Sequence, residues 1–268
     1  MIDVHCHLNF HSFEKDYDVV IKQAYAAGVT KIINVGTKID SSEHAVKLAQ
    51  QYENLYAIVG VHPHHADKQE LSSDWITQLE TLAKQQKVVA IGEIGLDYFS
   101  YKSNGIVDPK LQKDVFEQQI MLAHKLKLPL QIHNRHAGKD KDTLEILNHH
   151  KSYLLSLPGM FHCFAGDMDV LKGVLNLGFY VGFDGNITYK GLAPGEKVSL
   201  SELAKTTPID RIVTETDSPY LTPEPHRGTR NMPQYVIIVG ETIAKIKGLT
   251  FEQVREHTTS NAIQLFKL

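Results

Sequence analysis

Ile2-Asp3-Val4-His5-Cys6-His7 stands near the start of a chain of 268 residues. It is a short β-branched run with two imidazoles set at alternate positions where the run ends. Alternate residues on a strand share a face, so both rings can point at one ion while Cys6 points the other way, into packing. Alone, so short a motif is better explained by two hydrogen-bonded histidines at a strand end. What gives it weight is the recurrence of the same arrangement downstream.

Seven further apolar, β-branched runs follow, at 31–35, 56–61, 88–93, 128–133, 160–163, 179–183 and 211–216. Between them lie longer segments with helical periodicity, at 16–27, 41–51, 75–85, 110–126, 169–177 and 200–205, and 233–247 and 251–266 read as closing helices. Strand runs alternating with helices imply βαβ units and a parallel sheet. Eight such units without a compositional break predict an α/β fold, a single TIM-type (β/α)₈ barrel occupying residues 1–268 as one domain. An open doubly wound sheet has the same periodicity and stays open at this point. Gly28, Gly178 and Gly248 sit where helices should stop.

Composition narrows the function classes. With 42% hydrophobic and 22% charged residues the chain is ordinary globular material. A net charge of −3 is not that of a protein that coats nucleic acid, although it leaves room for an enzyme acting on nucleic acid at a local site. No run of 18 apolar residues is present, and the start lacks the basic and apolar regions of a signal peptide. Two cysteines, Cys6 and Cys163, argue against a disulfide framework, and a reducing cytoplasm is the expected compartment.

The chemistry lies in where the metal-ligating residue types fall. His5 and His7 end the first run, His62 the third, Glu93 the fourth, His133 the fifth and His162 the sixth, and Asp217 follows the eighth. In a (β/α)₈ barrel the C-terminal ends of the strands converge on one face, where active sites form. Glu93 sits in Ala90-Ile91-Gly92-Glu93-Ile94-Gly95-Leu96-Asp97, where a carboxylate is costly to bury unless it is paired or metal-bound. Its two oxygens could serve two ions. Asp97 could cap the next segment or hold a ligand histidine from behind. Asp217 can act as ligand and proton acceptor at once, and Glu215 could support a ligand or form a plain salt bridge. Cys163 reads as core. Arg135, Lys190, Arg227 and Arg230 follow predicted strands and suit anionic oxygens, with Arg230 the best placed because prolines stiffen its loop. His62 and His64, in the stiff loop His62-Pro63-His64-His65, are candidate substrate contacts.

These residues resemble the TatD family of metal-dependent deoxyribonucleases, within the amidohydrolase-like barrels. The resemblance is carried by Asp3-Val4-His5-Cys6-His7, Gly60-Val61-His62-Pro63, Gly92-Glu93-Ile94-Gly95-Leu96-Asp97-Tyr98, His133-Asn134-Arg135, Phe161-His162-Cys163-Phe164-Ala165-Gly166, Glu215-Thr216-Asp217-Ser218-Pro219-Tyr220-Leu221 and Pro225-His226-Arg227-Gly228-Thr229-Arg230-Asn231. It implies that His5 and His7 hold one metal with Asp217, that Glu93 bridges, and that His133 and His162 complete a second site. It also implies a phosphodiester substrate, usually DNA, degraded from an end. The loop with His136 and Gly138-Lys139-Asp140-Lys141, together with Ala165, Asp184 and Met232, departs from the family pattern and bears on substrate preference.

The expected mechanism is hydrolysis by two divalent ions, of Zn, Mn, Ni, Fe or Mg, with nitrogen-rich ligands favouring the first four over Mg. Asp217 would orient the attacking water, and Arg230, Arg135 and Lys190 would hold phosphates. A deacylase or amidohydrolase using the same site is the alternative. It is disfavoured because no lysine stands at the His133 strand end, where carbamylated-lysine amidohydrolases bridge their metals. A non-catalytic metal-binding scaffold is a third reading, disfavoured by the complete ligand set.

Overall fold

A computed structural model of the protein describes residues 1–67, 71–100, 105–135, 141–192 and 196–268. The variant loop 136–140 therefore lies outside the described residues. Eight strands form one parallel sheet in sequential order: β1 (Ile2–Cys6), β2 (Lys31–Val35), β3 (Leu55–Val59), β4 (Val88–Asp97), β5 (Leu130–Arg135), β6 (Gly159–Phe161), β7 (Tyr180–Phe183) and β8 (Ile212–Thr214). Around it run α1 (Tyr17–Ala26), α2 (Ile39–Gln51), α3 (Trp75–Ala83), α4 (Pro109–Leu126), α5 (Asp142–His149), α6 (Met168–Asn176), α7 (Leu200–Thr206), α8 (Val236–Lys247) and α9 (Phe251–Phe266).

The barrel closes between β8 and β1 by backbone hydrogen bonds beyond the strand ends. Asp217 N–H donates to His5 O at 2.9 Å and His7 N–H donates to Ser218 O at 2.8 Å. The open-sheet alternative is thereby excluded. The strands read as near-continuous apolar runs because helices cover one face and the barrel interior the other. One buried cluster takes residues from β1, β2, β3, β4, β6, β7 and β8, among them Val4, Val35, Ile58, Met160 and Val213, and is completed by Ala262, Leu265 and Phe266 of α9. A set drawn from all round the ring is the barrel interior, and α9 plugs one end of it.

Local signals explain the helix limits. Asp167 caps α6 by accepting from the N–H groups of Asp169 and Val170. Thr250 and Gln253 form a reciprocal capping box at the start of α9. Gly248 ends α8 with φ 66°, a conformation that costs glycine nothing. The segment expected to be helical from residue 233 begins with a 3₁₀ turn at Pro233–Tyr235 and becomes α-helical at Val236. Pro129 and Pro158 stand immediately before β5 and β6, and their carbonyls accept from Ile91 N–H and Leu130 N–H of the neighbouring strands. Among the described residues no helix is long and apolar enough to cross a membrane.

Candidate metal centre

The pairing of β1 with β2 is irregular between Asp3 and Cys6. The outcome is that His5 and His7 both face the end of the barrel, with Nε2 atoms 3.1 Å apart. Cys6 packs the other way, in a cluster with Val20 and Ile21 of α1. His7 is fixed from behind by its Nδ1, 2.9 Å from Val35 O.

Glu93 lies at the centre, 4% exposed, with its two oxygens facing different histidines. Oε2 is 3.7 Å from His5 Nε2 and 3.9 Å from His7 Nε2. Oε1 is 2.7 Å from His133 Nδ1, 2.9 Å from His162 Nε2 and 3.5 Å from His62 Nε2. Asp217 joins the first group, its Oδ1 3.6 Å from His5 and 3.4 Å from His7. It takes a left-handed φ of 53°, which places its carboxylate over the first histidine pair and costs an aspartate less than most residues.

These spacings fit metal ions. Tetrahedral ligands at about 2.1 Å from an ion stand about 3.4 Å from one another, and the first group spans 3.1–3.9 Å. The second group is tighter because, without an ion, hydrogen bonds draw it in. Burial acts to lower the basicity of His133, but hydrogen bonds to Asp97 and Glu93 outweigh it and raise its pKa to about 10. Burial likewise acts to raise Glu93, yet the charges of His162 and His62 and its hydrogen bonds hold it well below the usual carboxylate range. An ion held between Glu93 and His133 would have to displace their 2.7 Å contact, so metal uptake and proton release would be linked.

The remaining expectations divide. Asp97 stands behind His133, as its expected role as a support would require: its Oδ2 is 3.1 Å from His133 Nε2, and its Oδ1 accepts from Phe99 N–H. His62 stands closer to the ligands than expected of a substrate contact, since it can also group with Asp97 and His133 around an ion. His64 Nε2 is 3.8 Å from Asp97. Arg135 stacks on Phe99 at 4.2 Å and Arg227 on Tyr189 at 4.0 Å. Lys190 is exposed. Arg230 lies over the Phe13 ring and donates to both oxygens of Asp16, at 3.0 and 2.6 Å, and to Ser12 O at 2.5 Å. Its guanidinium ties the proline-rich loop to the segment after β1, so any phosphate must compete with Asp16.

Cys163 is half-buried just beyond β6, with φ 43°, and accepts from Asn186 Nδ2 at 3.5 Å; it is not a core residue as expected. Asp184, expected to border substrate, is fully buried, and its Oδ1 caps the turn at Asn186 N–H. Burial, reinforced by the charge of Asp217, pushes its pKa up to about 7. Met232 packs into the cluster around α1.

Three groups went unread in the sequence. Asp3, fully buried, accepts from Thr216 N–H (3.0 Å), Thr216 Oγ1 (2.7 Å) and His5 N–H (3.3 Å), and so locks the Asp217 loop to β1. Its spacing from His5 was the available signal. Phe10 stacks on His7 at 4.3 Å, and Tyr220, 54% exposed, stands 6.5 Å from both rings.

Comparison with known proteins agrees with this geometry. The family model described as TatD related DNase matches residues 2–267. The chain is 38% identical to the uncharacterized metal-dependent hydrolase YabD of Bacillus subtilis, covering 100% of this chain and 99% of that protein. It is 35% identical to a protein of Citrobacter rodentium named 3'-5' ssDNA/RNA exonuclease TatD, covering 99% and 97%. Among solved structures, YJJV, a TatD homologue from Escherichia coli, superimposes with a TM-score of 0.87 at 28% identity over 100% of this chain and 98% of that one. With full-length matches in sequence and fold, the chain belongs to the TatD family and is a metal-dependent hydrolase acting on ester bonds.

Proposed function

We propose that the protein is a phosphodiesterase that removes nucleotides from the end of single-stranded DNA, using two divalent ions that share Glu93. The observation that carries this reading is the division of Glu93: one oxygen faces His5 and His7, the other faces His133 and His162. A carboxylate between two nitrogen-rich groups suits a bridged pair of ions of the Zn, Mn, Ni or Fe type. Held by His5, His7, Glu93, His133, His162 and Asp217, such ions would supply a water of lowered pKa and would offset charge on the phosphoryl and leaving oxygens. The relative named as a ssDNA/RNA exonuclease supports the choice of substrate.

The chain's own residues then have distinct tasks. Asp217, whose side chain is 14% exposed against 6% for Glu93, is the carboxylate of the set nearest the opening. It is the group placed to orient the attacking water and take up its proton. His62 and His64 flank the second histidine pair, and Arg135 stands on the rim beside Phe99, where its charge meets a phosphate without crossing the core. Phe10 and Tyr220 offer rings on which an unpaired base can stack next to His7.

The test is digestion of 5′- and 3′-labelled single-stranded oligonucleotides by metal-stripped protein, with Mn, Zn, Ni, Fe and Mg restored separately. Metal-dependent shortening from one labelled end is expected. A folded, metal-loaded protein that leaves both strands intact refutes the nuclease reading and directs attention to acyl esters and amides.

A further inference from the structure

Among the buried acids that the mechanism above leaves unused is Glu215. Glu215, just beyond β8, is fully buried and turned into the barrel. The space it fills exists because residue 182 is glycine: a Cβ there would stand 2.6 Å from Glu215 Oε1. Cys163 N–H donates to Oε1 at 2.5 Å, which fixes the carboxylate in place. One buried polar atom of each of three neighbouring residues has no hydrogen-bond partner: Glu215 Oε2, His5 Nδ1 and His162 Nδ1. His162 Nδ1 is 3.8 Å from Oε1, and His5, His162 and Glu215 bring ligand-type atoms within 4.8 Å of one another. The two imidazoles are stacked, centroids 3.9 Å apart and planes 16° from parallel, so one group can address both.

We infer that Glu215 is a positioning residue shared by the two halves of the metal centre, accepting the Nδ1–H of His5 on one side and of His162 on the other. Each of these rings turns Nε2 towards Glu93. An imidazole that ligates through Nε2 carries its proton on Nδ1, and in a buried site that proton needs an acceptor. Glu215 Oε2 is a buried acceptor without a partner, in the same group of side chains as both rings. A third ion held by the same three residues would need both rings to surrender both protons, which is a far more demanding arrangement. Because His5 belongs to one half and His162 to the other, one carboxylate behind both makes ordering of either half favour the other. This coupling rests on the proposed two-ion reading.

The measurement is a titration of metal-stripped protein with Co²⁺, read by visible absorption and by chelator competition, for wild type, Glu215→Gln and Gly182→Ala. Gln keeps the shape and one acceptor oxygen but replaces the second with an NH₂ donor. Gly182→Ala keeps the acid and displaces it. Glu215→Gln is expected to weaken Co²⁺ binding roughly 10- to 100-fold and to shift the ligand-field band, with the metal-free melting temperature not lowered. Gly182→Ala should weaken binding in the same direction. Unchanged Co²⁺ affinity and spectrum in Glu215→Gln would overturn the assignment, as would a lowered metal-free melting temperature with normal affinity. If wild type binds a single equivalent, the two-ion reading and the coupling fall together, whereas the loss of affinity in Glu215→Gln still decides whether Glu215 positions the ligands.

Discussion

The two ends of this barrel are built on the same strands and are equally buried, yet they hold opposite chemistry. At one end Ala262, Leu265 and Phe266 of α9 close over Ile2, Val89 and Tyr180 in a mainly apolar plug. At the other, Asp3, His5, His7, Glu93, Asp97, His162, Asp184 and Glu215 are buried within one small volume. Burial is worth about 25 cal/mol per Å² for the first set, while the second incurs desolvation that only mutual pairing or bound cations can offset. The difference shows how a barrel separates its duties: one mouth holds the fold together, and the other is left electrostatically incomplete until an ion arrives.

Several substitutions would break this division if it is wrong. The largest effect is expected at the polar end. Glu93→Gln should lower kcat/KM on a phosphodiester by at least on the order of a thousandfold, about 4 kcal/mol in barrier, with far-ultraviolet circular dichroism unchanged. At the apolar end Phe266→Ala should cost roughly 3–5 kcal/mol of stability by urea denaturation and leave metal affinity and turnover per folded molecule alone. Loss of metal by Phe266→Ala would mean that the two ends are coupled and the comparison is false.

The third effect concerns pH. Asp3 and Asp184 have pKa values raised to about 8 and about 7, in both cases chiefly by burial. The folded, metal-free chain therefore binds more protons than the unfolded one between about pH 4 and 8, and its stability must fall as pH rises through that window. This contribution is complete below about pH 4. Asp97 has the opposite sign: its pKa is about 2, because His133 outweighs burial, so its contribution is present above about pH 4 and lost towards pH 2. Melting temperatures of metal-stripped protein from pH 5 to 8 should show the decline, and Asp184→Asn should flatten it by an amount on the order of a few kcal/mol. An equally steep decline in Asp184→Asn would remove that carboxyl from the account.

The smallest effect lies at the rim. Tyr220→Ala should raise KM for a single-stranded oligonucleotide about tenfold and leave kcat little changed, whereas Tyr220→Phe should behave as wild type, since stacking needs the ring and not the hydroxyl. Equal KM values for all three proteins would leave the exposed ring without a base to bind.

Much of this architecture could be read from residue type and spacing. Parallel strands covered on both sides must be apolar throughout, so the eight runs stood out, and polar residues interrupting their ends were conspicuous for the same reason. His5, His7, Glu93, His133, His162 and Asp217 do converge, because barrel topology brings strand ends together wherever they lie in the chain. Pairings across long sequence separations were not legible. Nothing local in Arg230 reveals that Asp16, 214 residues away, occupies both of its terminal nitrogens. Nor does Phe183-Asp184-Gly185 show that the aspartate turns inward to cap its own turn. The place of Glu215 depended on a glycine in a neighbouring strand, information that belongs to the packing and not to either segment alone.

The central claim is that two ions share Glu93, and Mn²⁺ tests it most directly. Metal-stripped protein is titrated with Mn²⁺ while the electron paramagnetic resonance of free Mn²⁺ is followed. The account predicts that free signal appears only after two equivalents and that the bound ions give an exchange-coupled spectrum, which Glu93→Gln abolishes. Free signal after one equivalent, or two bound ions without coupling, would contradict it.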